Sequence, residues 1–364
     1  MKIQALAIAV LTMLALHAGA EPGKHFEILA NLETGPGNVT VTANGRIIMS
    51  QHQFYQPQYA VVELKNNTQT PFPNEALASA NSKSPLKLDS VLGIRSDANG
   101  VVWMLDNGMR SGVTPKLVGW NTKTDRLQKL IYLPAPITPK DTFVNDFAVD
   151  FRHNAIFISD PAGGDNAALI VVNMSTGAAR RVLEGHASVV PEAVDLIIDE
   201  VPIQIKDQSG KLFRPHIGVN PLTEDLNNEW VYYAPMHGHS LYRIKADDLV
   251  NEKLNDQDLA DRVQRYSDKP ISDGMSIDQD NNIYLGDLAA NAIGVITADK
   301  AYRQLAQCPR LSWVDSFSFG PAGKLYAVVN RLHQSAILNG GVATSKPPYY
   351  LLQVKALAAG QAGR

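Results

Sequence analysis

The sequence predicts an all-β protein that folds as one six-bladed β-propeller. Three observations support this prediction: a strand–turn–strand pattern that recurs six times, a further strand after most copies, and a lone strand near the start of the chain. A β-sandwich is the alternative, because its short strands are also evenly spaced. The turn aligns in all six copies, and this alignment favours the propeller.

The repeat is clearest in Ser272–Asp287, where two short apolar runs flank a turn rich in Asp and Asn. These residue types favour turns because their side chains bond the nearby backbone and tolerate left-handed conformations. Copies that recur at intervals of roughly 40–70 residues are typical of propeller blades. The other five copies are Asn38–Ser50, Gly93–Asp106, Asp146–Asp160, Gly218–Pro235 and Ser316–Asn330.

Additional strands are expected to complete the blades and to close the ring. Glu27–Leu32 has no hairpin partner nearby. We expect it to pair with the last blade, built from residues 316–354, because this pairing removes an exposed sheet edge. Third strands are predicted at Lys116–Trp120, Ala168–Asn173, Ser240–Ile244, Ala292–Thr297 and Tyr349–Val354.

Three segments lie between the repeats. Residues 64–90 are polar and rich in Pro, Asn and Ser, which predicts a linker between blades. Residues 186–215 predict an inserted arm, with a small hairpin between Val201–Ile205 and Lys211–Phe213. Apolar residues at helical spacing predict one exposed helix over Asp247–Tyr266.

The first 20 residues have the pattern of a secretory signal peptide: Lys2, an apolar run and small residues before Ala20. We therefore expect cleavage after Ala20 and a secreted or periplasmic protein without a membrane span. Residues 21–355 are assigned to the propeller, and residues 356–364 to a flexible tail.

Composition excludes several classes of protein. The formal net charge is −3, which gives no reason to expect nucleic acid or an anionic membrane as a partner. Cys308 is the only cysteine, so the chain forms no internal disulfide and no zinc site built on several cysteines.

Polar residues are concentrated at one predicted rim of the central channel. The innermost strand of each blade starts at this rim and the second strand returns to it, so the residues before the first strand and after the second converge there. The first set is Gly37, Leu92, Asn145, Ile217, Asp273 and Asp315. The second set is Ser50/Gln51, Asp106, Asp160, Pro235, Asp287 and Asn330.

Carboxylates near an opening can hold a hard cation, accept a cationic amine or act as acid and base, although a single Asp or Asn can simply cap a turn. We predict a small-molecule site at this mouth. Its candidate residues are Asn145, Asp273, Asp315 and Asn330, with Asp146 and His216 nearby.

Metal binding is a separate hypothesis. Asn145 and Asp273 are the candidate ligands of a divalent cation such as Ca²⁺. His237 and His239 lie on one face of an extended segment, but no third ligand is apparent nearby in the sequence, which favours a surface pair.

Four segments resemble the major royal jelly protein/Yellow family: Val144–Asp150, Ile156–Asp160, Trp230–Tyr242 and Val329–Leu332. The resemblance covers nearly all of the chain after the signal peptide. It implies a secreted six-bladed propeller that binds a small molecule such as an amine or a catechol. It also implies a link to dopachrome conversion in pigment pathways. The chain lacks the paired cysteines typical of the insect members.

A more distant resemblance is to the gluconolactonase/regucalcin family, which holds a divalent metal with Glu, Asn, Asn and Asp at the channel mouth. Asn145 and Asp273 match two of these ligands by motif. The glutamate position falls near Pro36 and the second asparagine position on Ile217, so half of the ligand set is missing.

Three functions therefore remain open. The first is a secreted small-molecule binder, with or without a pigment-type conversion. The second is a metal-dependent lactone hydrolase. The third is an extracellular interaction scaffold, because propellers support many unrelated functions.

Overall fold

The computed structural model describes residues 25–364 and contains six four-stranded antiparallel sheets. The innermost strand of each sheet lies against the innermost strands of the two neighbouring sheets, so these strands form a closed ring. The predicted six-bladed β-propeller is thereby confirmed. The signal peptide expected at residues 1–20 lies outside the described residues.

Blades 1 to 5 each use four consecutive strands, which run in order from the central channel outwards. Blade 1 is Pro36–Val41, Ile47–Gln51, Val61–Lys65 and Thr68–Pro71. Blade 2 is Val91–Ser96, Val101–Asp106, Lys116–Asn121 and Arg126–Tyr132. Blade 3 is Phe147–Asp150, Ala155–Asp160, Ala168–Asn173 and Ala179–Val182. Blade 4 is Val219–Glu224, Trp230–Pro235, Ser240–Lys245 and Gln264–Asp268. Blade 5 is Met275–Ile277, Ile283–Asp287, Ala292–Ile296 and Tyr302–Gln307.

Blade 6 joins the two ends of the described chain. Its three inner strands are Val314–Phe319, Leu325–Val329 and Tyr349–Val354, and its outermost strand is Phe26–Leu32. Phe26 pairs with Val354 and Leu32 with Tyr349, with one register shift between them. The closing strand expected at Glu27–Leu32 is confirmed.

The hairpin turns follow from an aspartate that the sequence repeats. Asp97, Asp225 and Asp278 each accept hydrogen bonds from the backbone N–H groups two and four residues further on. These bonds replace the ladder bonds that the turn lacks. The carboxylates of Asp97 and Asp278 also accept a bond from an aromatic side chain of the following strand, which fixes the hairpin.

The apolar core lies between the faces of neighbouring blades. Phe157 and Leu169 of blade 3 belong to the same buried cluster as Val219 and Tyr233 of blade 4. Burying a side chain of this size stabilises the fold by about 1.5–3 kcal/mol. Each blade therefore depends on its neighbours for its stability.

The single helix predicted over Asp247–Tyr266 is wrong. Two short helices, Ala246–Val250 and Asp256–Ala260, are followed by the strand Gln264–Asp268 at the edge of blade 4. Asn255 starts the second helix with a reciprocal capping box. An edge strand that faces solvent carries polar residues on both faces, so its sequence pattern resembles that of a solvent-exposed helix.

The other inserted segments also differ in detail from the predictions. The segment expected as a linker at 64–90 contains the outermost strand of blade 1 and the short helix Glu75–Ala78. The arm at 186–215 contains two small hairpins rather than one, Ile197–Ile198 with Val201–Pro202 and Ile205–Lys206 with Leu212–Phe213. Four single-turn 3-10 helices complete the described secondary structure: Gln53–Tyr55, Pro309–Leu311, Pro321–Gly323 and Leu332–Gln334.

Residues 356–364 are bonded to the propeller, unlike the flexible tail expected for them. Gly363 donates its N–H to the carbonyl of Phe319 at 2.8 Å and accepts a bond from the N–H of Ser96 at 3.3 Å. Arg364 donates to the carbonyl of Asp225 at 2.8 Å. These partners lie at the ends of innermost strands, so the segment satisfies backbone groups at the rim opposite the mouth.

Candidate functional site

The mouth of the channel is formed by the starts of the innermost strands, where the pairing with the second strand is often irregular. In blades 1, 2, 4 and 6 the pairing between the innermost and second strands shifts register at the start of the innermost strand. Such β-bulges leave residues unpaired and re-aim their side chains. Three of these bulges contain a polar residue that reaches the mouth: Asn38, Asn220 and Asp315.

A cavity of about 510 Å³ opens at this mouth. Four of the six predicted site residues line it, namely Asn145, His216, Asp273 and Asp315. Most of the remaining lining is apolar. Its larger members are Phe54, Met109, Phe143, Phe213, Met236, Trp313, Leu332, Ile337 and Leu338.

Both oxygens of Asp273 accept hydrogen bonds at the cavity wall, from two different side chains. Trp313 donates its indole N–H to Oδ2 of Asp273 at 2.7 Å, and Asn220 donates its amide to Oδ1 at 2.5 Å. A carboxylate accepts only, so Asn220 turns its NH₂ towards Asp273 and its oxygen towards Asn145, which donates to it. The result is a directed chain of bonds from Asn145 through Asn220 to Asp273.

Asp315 has a simpler environment. The amide of Asn330 donates to Oδ2 of Asp315 and, at 2.9 Å, to the carbonyl of Pro36. The backbone N–H of Leu332 donates to the amide oxygen of Asn330 at 2.9 Å. Asn330 is fully buried behind Asp315 and is absent from the cavity wall. Its position is therefore that of a support for Asp315.

Asp146 also lies behind the cavity wall. Asn38 donates its amide to Asp146 at 2.8 Å and accepts a bond from the guanidinium of Arg95 at 3.0 Å. All three side chains are buried. The positive charge of Arg95 attracts the carboxylate of Asp146 and lowers its pKa.

Burial makes these carboxyl groups weak acids. It raises the pKa of Asp273 to about 7, and the negative charge of Asp146 adds to the shift. Burial raises the pKa of Asp146 to about 6, although Arg95 opposes the change. The pKa of Asp315 is raised well above its usual range by burial and by the charges of Asp273 and Asp146. Groups that change protonation near neutral pH beside a cavity are typical of functional sites.

Trp313 holds an uncommon backbone conformation in the wall of the cavity. Its φ is +61°, in the left-handed region that a bulky residue rarely adopts. The bond to Asp273 and a stacked contact with His333, at 6.0 Å between ring centroids, hold the indole in place. Such strain persists where the surroundings fix the residue and often marks a functional site.

His216, His237 and His239 do not form a metal site at the mouth. His216 bonds Asp195 at 3.1 Å, and its ring lies 5.8 Å from that of His237. Nδ1 of His237 accepts a backbone bond from Ile217, so its buried Nε2 carries the proton. Burial lowers the pKa of His237 to about 3. His239 contacts the carbonyl of Lys269 instead of joining His237 at a common ligand position.

The aspartates of the second predicted set cap turns. Asp106 accepts three backbone N–H bonds and forms an ion pair with buried Lys116 at 2.7 Å. Asp160 accepts backbone bonds and pairs with Arg181 at 2.6 Å. Asp287 accepts bonds from Ala290 and from the hydroxyl of Tyr302. None of the three lines the cavity.

Sequence reasoning missed several residues of the site. Asn220, and not the predicted Ile217, is the polar residue of blade 4 at the mouth, because Ile217 lies before the innermost strand and Asn220 lies in the bulge within it. Pro221 is the signal that indicates this bulge, since proline inside a sheet is confined to edges and bulges. Asn38, Arg95 and Trp313 carried no comparable local signal.

A calcium ion of the gluconolactonase type does not fit the mouth in this arrangement. Asn145, Asn220 and Asp273 supply an asparagine–asparagine–aspartate set, but both oxygens of Asp273 and the amide oxygen of Asn220 already accept hydrogen bonds. The position of the glutamate ligand falls near Pro36 and Gly37, which offer no side-chain oxygen. Calcium takes six to eight oxygen ligands, so this set is incomplete.

The fold and the site define a six-bladed propeller with buried carboxyl groups beneath a mostly apolar mouth. The family model described as major royal jelly protein matches residues 89–343, so the chain belongs to the major royal jelly protein family. Major royal jelly protein 6 of Apis mellifera is 24% identical over 198 residues, which cover 50% of this chain and 41% of the bee protein. The match thus spans less than half of the relative's length.

Solved structures support the same fold at low sequence identity. A luciferin-regenerating enzyme has a TM-score of 0.58 and 12% identity, over 93% of this chain and 97% of that protein. A gluconolactonase from Xanthomonas campestris has a TM-score of 0.55 and 11% identity, over 90% and 89%. Regucalcin from Agrobacterium tumefaciens, a calcium-binding protein, has a TM-score of 0.54 and 12% identity, over 93% and 98%. At these identities the likeness shows the fold alone.

No helix within residues 25–364 is long and apolar enough to cross a bilayer.

Proposed function

We propose that the protein binds a small cationic molecule with an apolar body, such as an arylalkylamine or a catecholamine, in the cavity at the channel mouth. The observation that carries this proposal is the combination of two buried carboxyl groups, Asp273 and Asp315, with a mostly apolar wall. An ionised carboxylate is costly to bury unless a cation or several donors pair with it. A ligand ammonium supplies that charge and up to three N–H donors.

The wall favours an aromatic body for this ligand. Phe54, Phe143 and Trp313 contribute aromatic surface to the cavity, and aromatic rings also attract cations through their faces. The volume of about 510 Å³ suits a small organic molecule. Asn145 and His216 at the same wall offer polar contacts for hydroxyl groups of the ligand.

A pigment-type conversion is the enzymatic extension of the proposal. Rearranging a catechol-derived quinone moves protons between ring and side-chain carbons. A carboxyl group with a pKa near the working pH can donate and accept such protons. Asp273, with a pKa raised by burial to about 7, lines the cavity and is our candidate for this role.

Calorimetry with matched ligands tests the binding proposal. We expect dopamine or tyramine to bind, and catechol or 4-ethylphenol, which lack the amine, to bind at least tenfold more weakly. Asp273→Asn should weaken amine binding by roughly 1.5–3 kcal/mol, because it removes a charge-assisted bond. Asp268→Asn is the matched control, since the side chain of Asp268 is 83% exposed and does not line the cavity.

Each outcome discriminates between the functions. Equal affinity for amines and their neutral analogues would contradict the proposal. Lactone hydrolysis that requires added calcium and is lost in Asp273→Asn would support the metal-dependent hydrolase instead. A protein that binds none of these ligands or calcium would fit an interaction scaffold. Decay of dopachrome absorbance, compared between wild type and Asp273→Asn, tests the conversion separately.

Export remains a proposal that rests on the pattern of residues 1–20. Protein recovered from the exported fraction should begin at Glu21 by intact mass. A retained leader in that fraction would contradict the predicted cleavage after Ala20.

A further inference from the structure

A second cluster of ligating groups lies at the rim opposite the mouth. Asp150 and Glu224 end the innermost strands of blades 3 and 4, and His153 lies in the turn after Asp150. One ligand atom from each of these residues lies within 4.8 Å of the other two. Among the His, Cys, Asp and Glu side chains of residues 25–364, this is the group of three that could hold a metal ion.

Hydrogen bonds set the orientation of His153. Its Nε2 lies 3.0 Å from Oδ1 of Asp247, and a carboxylate only accepts, so Nε2 carries a proton. Nδ1 lies 2.5 Å from Oδ2 of Asp150, which also only accepts, so a metal ion bound at Nδ1 would take the place of the proton that this contact requires. A carboxylate that holds the distal nitrogen in this way is the usual outer partner of a metal-binding histidine.

Glu224 provides an independent observation. The residue is 2% exposed, its Oε1 accepts no hydrogen bond, and its carboxyl group contacts that of Asp150. Its other oxygen, Oε2, accepts a bond from Asn228 at 2.7 Å and lies 3.7 Å from the guanidinium of Arg364. A buried carboxylate oxygen without a partner is costly, and a cation in the cluster would satisfy it.

We propose that Asp150, His153 and Glu224 bind one divalent transition-metal ion of the zinc or manganese class. One imidazole nitrogen and two carboxylates form a ligand set that these ions accept, whereas calcium prefers oxygen ligands alone. Once the ion displaces the proton that burial favours on Glu224, the set supplies two negative charges, which balance the ion. The site joins two neighbouring blades, and it is separate from the cavity proposed to bind the amine.

Metal retention in the untagged protein tests this site. The protein is stripped with a chelator, loaded with Zn²⁺ or Mn²⁺, desalted and analysed for metal by mass spectrometry. We expect one bound ion per chain, and Co²⁺ loading should produce visible absorption bands. Glu224→Gln and His153→Gln should each weaken affinity by more than roughly tenfold. Glu229→Gln, an exposed carboxylate five residues from Glu224, is the matched control and should retain the ion.

Asp247→Asn keeps the test decisive if a buried variant fails to fold. The side chain of Asp247 is 74% exposed, so its replacement should leave the fold intact while weakening metal affinity by roughly 10–100-fold. A wild-type protein that retains no ion would overturn the proposal. So would variants that bind as tightly as the wild type. In either case the cluster is a protonated histidine held between Asp150 and Asp247.

Discussion

Two sets of aspartates lie at strand ends of this propeller, and their surroundings differ in kind. Asp106 and Asp160 accept several backbone N–H bonds, and each pairs with a cationic side chain. Asp273 and Asp315 accept only side-chain donors and line a cavity. The negative charges of Asp106 and Asp160 are compensated entirely by groups of the protein. Asp273 and Asp315 lack a cationic partner among the described residues.

The difference shows how a capping carboxylate can be distinguished from a binding carboxylate. Backbone donors and an internal cation stabilise the charged form, so a cap serves the fold. Burial outweighs the two neutral donors of Asp273, so the charged form stays unfavourable and the pKa rises to about 7. The number and type of donors separate the two roles, although both sets occupy similar positions in the repeat.

The largest effect should come from a cap. In Asp106→Asn an amide NH₂ would face backbone donors, and buried Lys116 would lose its negative partner. We expect the free energy of unfolding in urea to fall by roughly 3–5 kcal/mol, the usual cost of breaking a buried ion pair. A loss below about 1 kcal/mol would remove the distinction between the two sets.

Asp273→Asn should weaken ligand binding without destabilising the fold, which is the opposite of the effect expected for Asp106→Asn. The bonded chain from Asn145 through Asn220 can reverse around a neutral amide, so the free energy of unfolding at pH 7 should not fall by more than about 1 kcal/mol. Amine affinity should still fall as proposed above. Urea unfolding and calorimetry on the same preparation give both values, and a strongly destabilised variant would show that Asp273 is another structural cap.

The pH dependence of stability sharpens the comparison further. Asp273 has a pKa of about 7 in the folded protein, above its value of about 3.9 when unfolded, so the folded state holds the proton more tightly. Its contribution should therefore decrease as pH rises from about 4 to about 7, by at most about 1.4 kcal/mol per pH unit. His52 and His237, with pKa values lowered by burial to about 3, act in the opposite direction below about pH 6.5.

The difference between wild type and Asp273→Asn isolates the aspartate from these histidines. Unfolding free energies of both proteins should be measured from pH 4.5 to pH 8. Relative to the variant, the wild type should become less stable as pH rises. A constant difference across the range would mean that Asp273 is ionised throughout.

The smallest effect is expected at the donor to Asp273. Trp313→Phe removes the indole N–H that bonds Oδ2 at 2.7 Å and keeps an aromatic wall. This bond lowers the pKa of Asp273, so its loss should move the pH midpoint of amine binding upwards and weaken binding by about 1 kcal/mol. Calorimetry at several pH values measures both effects. An unchanged midpoint would show that the indole contributes only shape.

Much of the fold could be predicted because its signals are local and repeated. The Asp and Asn turns mark each hairpin, and the lone strand Phe26–Leu32 closes blade 6. The edge strand Gln264–Asp268 was mistaken for helix because solvent-exposed strands lose the alternation of apolar and polar residues. The bound segment 356–364 escaped prediction because its partners are distant backbone groups.

The candidate site was only partly accessible from the sequence. The rim argument placed Asn145, Asp273 and Asp315 at one cavity, since residues before innermost strands converge there. It could not separate caps from cavity residues, because the donors to Asp106 and Asp273 come from positions that only the fold brings together. The bulge that contains Asn220 shifts the pairing register between the first two strands of blade 4. The two-residue period of a strand does not reveal such a shift.

The closing strand has a consequence for the order in which the ring assembles. Phe26–Leu32 pairs with Tyr349–Val354, partners that roughly three hundred residues of chain separate. During synthesis the first strand must remain unpaired until nearly the whole chain is available, and contacts of such long range form slowly. An unpaired apolar strand is prone to aggregation during this interval. The ring therefore closes only when the last blade is complete. We expect the six blades of the closed ring to unfold as one cooperative unit.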